Sequence, residues 1–238
     1  MKYVFRVLIY LSFLILSFTI VSVVLLRFVP VSFTPLKVIA LQENKQLEKD
    51  YPFRSEWISI DHISAHMVTA VVATEDNHFL KHNGFDFEAI QKALEENREG
   101  RRMRGGSTIS QQTAKNVFCF PQRTWLRKGV ETWFTFWIEL CWNKKRIMEV
   151  YLNVIETHPN MYGVEATAQY FYKKTASDLN NYEAAMIATV LPSPRRMNIG
   201  APSNYMTQRS ARVRRLMGQV GSVDLDNPAS KEENTTRK

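Results

Sequence analysis

The first pattern along the chain is apolar without interruption. From Val7 to Leu26 there is no charged residue, and Arg6 and Arg27 bracket the run. Twenty residues at about 1.5 Å each make roughly 30 Å of helix, the thickness of a bilayer core. A cleaved leader needs a small-residue site after a shorter apolar core, and no alanine occurs before Ala40. The run therefore predicts an uncleaved transmembrane anchor, against the alternative of a buried core helix. Lys2 and Arg6 precede it, and the short N-terminal side favours N-in with the rest of the chain outside the cytoplasm.

After the anchor the pattern changes. Residues 29–60 read as a juxtamembrane connector, with Pro30, Pro35 and Pro52 in mixed sequence. From about Ser64 the spacing is helical almost throughout. Ile63, Met67 and Val71 recur on one face. Asp86 is placed to cap a helix carrying Phe87, Ile90 and Leu94 that ends near Gly100. Ser107 is placed to cap another, to about Phe118. Trp125 to Asn153 is a long stretch with a break near Asn143. Asn181–Leu191 is stopped by Pro192 and Pro194, and Ser203–Val220 is the last helix. No persuasive alternating strand and no internal repeat is present. Residues 223–238 are polar, lack aromatics and read as a disordered tail. The fold class is mainly α, with residues 1–28 as cytoplasmic N-terminus and anchor and 61–222 as one soluble domain.

Composition changes this picture only at the edges. Hydrophobic residues are 45% and charged residues 23%, which excludes a wholly disordered chain, a collagen and a mucin-like stalk. Two cysteines, Cys119 and Cys141, are too few for a disulfide scaffold or a four-cysteine zinc module; buried packing is their default.

Charge placement says more than the net +8. Arg101, Arg102, Arg104, Lys115, Arg123, Arg127 and Lys128 fall in one segment without an acidic residue, and six arginines lie between Arg195 and Arg215, again without one. Such patches suit phosphate-bearing partners or anionic lipid. An exported, anchored domain argues against nucleic acid and leaves lipid phosphates or a diphosphate substrate. For the second patch a merely solvated face is an equal alternative.

Inside the first patch lies Gly105-Gly106-Ser107-Thr108-Ile109-Ser110-Gln111-Gln112-Thr113-Ala114-Lys115-Asn116. A glycine turn followed by Ser107 opening a helix makes a preformed anion site. Gln111 and Lys115 share a face with Ser107, and Gln112 and Asn116 line up with Thr108. The spacing is not that of a P-loop, and a simple capped amphipathic helix remains open. Upstream, Glu75 and Asp76 end an apolar helix, where the dipole and apolar neighbours raise a carboxylate's proton affinity, as a general base requires. His78 and His82 have zinc-compatible spacing without a third ligand, so a structural pair is favoured. Arg127 and Glu131 form an i, i+4 pair. It reads either as a surface ion pair or as part of a site in which Lys128 and Arg123 receive a diphosphate. The aromatics Trp125, Trp133, Phe134, Phe136, Trp137 and Trp142 fall on more than one helix face, some for the core and some for an apolar surface that dips into the membrane.

Together the motifs Glu75-Asp-x-x-Phe79-x-x-His82-x-Gly84, Gly106-Ser-Thr-Ile-x-Gln111-Gln112-x-x-Lys115-Asn116, Arg127-Lys128-x-x-Glu131, Ile147-Met-Glu149-x-Tyr151-Leu152-Asn153 and Glu183-Ala-Ala resemble the family 51 glycosyltransferases, most closely the monofunctional peptidoglycan members. The resemblance covers about residues 60–220. It implies a two-lobed, lysozyme-like helical domain that polymerises lipid II into β-1,4-linked glycan strands at the inner membrane, facing the periplasm, with inversion and release of undecaprenyl diphosphate. It implies Glu75 as general base and Glu131 as the second catalytic glutamate. Lys115, Arg123 and Lys128 match diphosphate-contacting positions, and Ser107, Thr108, Gln111, Gln112 and Asn116 match the cleft lining. No organic cofactor is implied; some members use a divalent cation such as Mg2+, whose ligands the sequence does not assign. The implied partners are lipid II, the growing lipid-linked strand, the membrane and other cell-wall synthesis proteins. Glu156-Thr157-His158 and Asn198-Ile199 depart from the family's usual Glu-Phe-Gly and Asn-Pro. Neither Ser-x-x-Lys nor Lys-Thr-Gly is present, so no transpeptidase activity is expected. Two competitors are a lytic glycan-cleaving enzyme and a non-catalytic membrane-anchored binding module.

Overall fold

The computed structural model describes residues 2–43, 51–98, 106–122 and 124–227. Gly105, Arg123, the arginines at 101, 102 and 104, and the tail from 228 onward lie outside the described residues.

Helix α1 is Lys2–Leu26. It is long and apolar enough to cross a membrane, and little of it is buried against the rest of the chain. The first part of the connector, residues 29–43, is more ordered than its prolines suggest. Thr34 Oγ1 accepts from Lys37 N at 3.2 Å and opens α2, Pro35–Glu43, with proline at the first helical position where no amide is needed.

In the soluble part, local capping sets the helix starts. Ser64 opens α3, Ala65–Glu75, whose residues Met67–Ala73 are all buried. Asp86 Oδ1 accepts from Ala89 N at 2.8 Å and opens α4, Phe87–Arg98. Helix α5 is Ile109–Phe118 and its cap is Thr108, one residue later than expected. Thr124 opens α6, Trp125–Cys141. Asn143 opens α7, Lys144–Val154, which places the expected break at that asparagine. After the short α8, Val164–Thr167, Asn180 opens α9, Asn181–Val190, and Ser203 opens α10, Asn204–Val220.

Three strands were not foreseen: β1 Arg54–Ser55, β2 Glu156–His158 and β3 Met161–Tyr162. They form one sheet in the order β1-β3-β2, with β1 parallel and β2 antiparallel to β3. Segments of two or three residues are too short to display a two-residue period.

The fold is mainly helical, and its helices pack in two groups. Helices α3, α9 and α10 pack on one another, while α5 packs on α6 and α7. Met67, Phe79, Ile109, Ile138, Tyr151 and Ile187 are among the fully buried side chains that join the groups in one core. Helix α2 lies on α5, and α1 lies on α6.

The α1–α6 contact is a polar joint as well as an apolar one. Trp133 Nε1 donates to Thr19 Oγ1 at 3.1 Å, and Trp142 Nε1 donates to the Val23 carbonyl at 2.8 Å. Val23 is fully buried. Arg146 donates to the Leu26 carbonyl at 2.7 Å and also to that of Val29. Its guanidinium stacks on Trp57 and Trp142 and pairs with Glu149. A cation on the last carbonyls of α1 satisfies groups that no intrahelical amide reaches and complements the helix dipole.

Candidate functional site

Glu75 stands in the last turn of α3, half-buried. Gln112 Nε2 on α5 donates to its Oε2 at 3.0 Å, and the buried Tyr151 hydroxyl on α7 donates to Gln112 Oε1 at 3.3 Å. Three helices thus hold one carboxylate. Burial raises its proton affinity above that of an ordinary glutamate and Asp76 adds to the rise. The Gln112 hydrogen bond and the charges of Arg209 and Lys115 work against it. Net, the group is a carboxylate with an elevated pKa, suited to accept a proton.

Asp76 does different work. Its Oδ2 accepts from Ile109 N at 3.0 Å, at the start of α5. His82 Nε2 lies 3.0 Å from both its oxygens, and Gly84 N donates to His82 Nδ1 at 3.1 Å. With Nδ1 accepting, the imidazole proton is assigned to Nε2, facing Asp76. Gly84 has φ +91°, and a Cβ there would fall 2.9 Å from Thr135 Cγ2, so this position requires glycine. The Thr108 hydroxyl donates to the Gly84 carbonyl at 2.7 Å.

This changes the reading of the α5 N-terminus. It was expected to be an open anion site headed by Ser107. Instead Asp76 takes the Ile109 amide, and Thr108 and Gln111 satisfy each other's amides in a capping box. A carboxylate of the protein already occupies the positive end of the helix. The first motif therefore supplies two adjacent acids with separate tasks: Asp76 fastens α3 to α5, and Glu75 is left to pair with Gln112.

His78 and His82 do not face a common metal. His78 Nδ1 pairs with Asp86 at 2.9 Å and His82 with Asp76. Among the described residues no cluster of three or more His, Cys, Asp or Glu side chains is placed to hold an ion.

The cations gather on α5 and α6. Glu131 is buried, so its pairing with Arg127 is not the surface ion pair that spacing alone allowed. It accepts from Arg127 at 2.8 Å and from Lys128. Lys115 is drawn below the ordinary lysine range by burial, opposed by Glu131 and Glu75 and reinforced by Arg127 and Lys128. Lys115 thus lies within reach of the charges of both Glu75 and the Arg127–Lys128–Glu131 group, which a location on opposite sides of the molecule would not allow.

A cavity of about 510 Å3 runs along this wall. Ser107, Gln111, Gln112, Lys115 and Asn116 line it from α5, and Arg127, Lys128 and Glu131 from α6. Thr108 is buried beneath it, bonded to Gly84 and Gln111. Arg123 lies outside the described residues. Several lining residues were not anticipated. Leu36 comes from α2, and Glu156, Leu191, Pro192 and Pro194 form the facing side. Arg195 pairs with Glu156 at 2.9 Å. Thr34-Pro35, a cap followed by a proline at the first helical turn, was the available signal for α2.

The remaining motif residues build the scaffold. Asn153 Nδ2 donates to the Ile58 carbonyl and its Oδ1 accepts from Ile58 N, both at 2.8 Å. Glu149 accepts from Ile60 N at 3.2 Å. Glu183 closes the α9 capping box and pairs with Lys174. Cys119 and Cys141 are both free, and burial pushes the Cys119 thiol up to about 11.

With this geometry described, the similarities can be stated. A family model described as Transglycosylase matches residues 42–218. A biosynthetic peptidoglycan transglycosylase of Aeromonas hydrophila is 48% identical over 73% of this chain and 74% of its own length. One of Bacteroides thetaiotaomicron is 50% identical over 78% of this chain and 75% of its own, and one of Escherichia coli is 51% identical over 72% and 71%.

Proposed function

The chain belongs to the transglycosylase family and is a peptidoglycan glycosyltransferase; on that premise we propose that Glu75 is the general base of an inverting transfer between two lipid-linked sugars. The substrates are lipid II and the glycan strand grown from it. Glu75 takes the proton from the acceptor 4-hydroxyl, whose oxygen forms the new bond to the donor's anomeric carbon. The bond from that carbon to the diphosphate oxygen breaks with its electron pair, and undecaprenyl diphosphate leaves. The diphosphate needs positive charge rather than a proton, and Lys115, Lys128 and Arg127 offer it. Glu131, between Arg127 and Lys128, holds the two cations in position for a group it does not itself touch. Gln112 orients the base, and Ser107, Gln111 and Asn116 offer hydrogen bonds to sugar and phosphate.

The single observation that carries this reading is that Gln112, which donates to Glu75, lines one cavity together with Lys115, Arg127 and Lys128. A lytic enzyme would also use a carboxylate of elevated pKa, but as a protonated acid and without a dense cation cluster beside it. No step is assigned to a divalent ion. Mg2+ prefers oxygen ligands in open coordination, and the Glu131 oxygens already accept from Arg127 and Lys128.

We further propose that α1 is the anchor, N-terminus in, and that the outward row of α6 sits in the outer leaflet beside it. At 1.5 Å per residue, Thr19 lies about 10 Å below Leu26 along α1, and Trp133 is bonded to it. The test of the chemistry is synthesis of glycan from purified lipid II. Glu75→Gln is expected to lower the rate by a factor of about 10^3 or more with lipid II binding retained. Undiminished polymerisation by Glu75→Gln would overturn the assignment.

A further inference from the structure

Helix α10 carries a side chain that the mechanism leaves unused. The buried row of α10 is Met206, Ser210, Val213 and Met217, and the helix packs on α3 and α9. Arg209 lies three residues after Met206 and four before Val213, so it stands on the edge of that row rather than on the solvent face. It is half-buried. Its Nε is buried without a hydrogen-bond partner, and it forms no ion pair among the described residues. A guanidinium held this way is costly unless some charge compensates for it. The compensating charge is that of Glu75, at the end of the helix on which α10 packs.

We propose that Arg209 is a positioning residue for the reaction: from α10 it keeps the Glu75 carboxylate ionised beside Gln112 while the donor diphosphate is bound. The proposal rests on Glu75 as the base. The groups facing Glu75 are few. From α5 they are Lys115 and the neutral Gln112, from α7 the neutral Tyr151 phenol, and from its own helix end Asp76. From α10 comes Arg209. Helix α9 contributes none; its Glu183 is engaged by Lys174 and by the α9 cap. When a diphosphate arrives, Lys115 is taken up by the leaving group and two phosphates add negative charge near the base. Arg209 does not line the cavity and is still free to oppose protonation of Glu75.

The test is the pH profile of kcat for the full-length protein polymerising lipid II, which reports the base with substrate bound. Removing a cation near a carboxylate raises its pKa, so Arg209→Gln and Arg209→Met should move the acidic limb upward by roughly one unit. The rate on the alkaline plateau should stay within about twofold of the parent. Arg209→Lys should restore the limb. Equal loss at every pH, or an unmoved limb with either neutral variant, overturns the proposal, since a merely structural role does not depend on pH. If the neutral variants fail to fold, Arg209→Lys decides: a limb that moves upward despite the retained charge overturns it as well. Glu75→Gln is run beside them. Undiminished activity in that variant at any pH would sink the base assignment itself, whereas a strongly impaired Glu75→Gln with an unmoved Arg209→Gln limb sinks only the role of Arg209.

Discussion

Helices α6 and α10 are the same length, seventeen residues each, and both bury one stripe. Their other faces differ completely. The exposed positions of α6 are Trp125, Leu126, Gly129, Thr132, Phe136 and Leu140, without a charge among them. Those of α10 include Gln208, Arg212, Arg214 and Arg215. A helix that meets water on one side carries polar residues there, and α10 does. Helix α6 does not, and it is the one bonded to α1 through Trp133 and Trp142. Amphipathicity measured along the chain therefore records where the core is, while the character of the outer stripe records which medium lies beyond it. The inner edges also divide the labour. Helix α6 brings Arg127, Lys128 and Glu131 to the cavity, and α10 brings Arg209 toward Glu75.

The contrast can be broken most severely by charging α6. In Phe136→Arg/Leu140→Arg each arginine opposes an apolar surrounding at a cost of about 1–3 kcal/mol. We expect at least roughly a tenfold loss of polymerisation on lipid II in vesicles and nearly full activity in detergent. An equal loss in both media would show that the outer face of α6 needs no lipid. A smaller effect follows from Trp142→Phe, which keeps the ring but removes the donor to the Val23 carbonyl. It should destabilise the domain by about 1 kcal/mol, read as a lowered Tm in thermal unfolding. The smallest effect is expected on α10. Arg212→Gln and Arg215→Gln remove exposed charges and should change stability by less than about 0.5 kcal/mol. A large loss from either would mean that α10 meets something other than water.

Most helices were legible because their signals are local. Ser64, Asp86, Asn143 and Ser203 each precede a periodic apolar stripe, and each caps the helix expected of it. Thr108 against Ser107 was a choice between two competent caps. The glutamine at Gln111 decides it, because only Thr108 has a partner three residues on with which to form a box. The anion-site reading failed for a different reason. Asp76 is 33 residues from the Ile109 amide it fills, and no spacing rule links them. The Tyr151–Gln112–Glu75 chain and the approach of Arg209 to Glu75 are likewise products of packing, so the sequence could present the residues without their arrangement. Glu131 is intermediate. Its pairing with Arg127 is visible in the spacing, and its burial is not.

The clasp of Arg146 and two indole donors on the end of α1 has a mechanical meaning. A tail joined to a domain by a loose tether lets that domain tumble and sample every height. Here the stem and the head share hydrogen bonds over about two helical turns, so they move as one strut. With α1 as the proposed anchor, the mouth of the cleft is thereby held at one elevation and azimuth above the lipid plane.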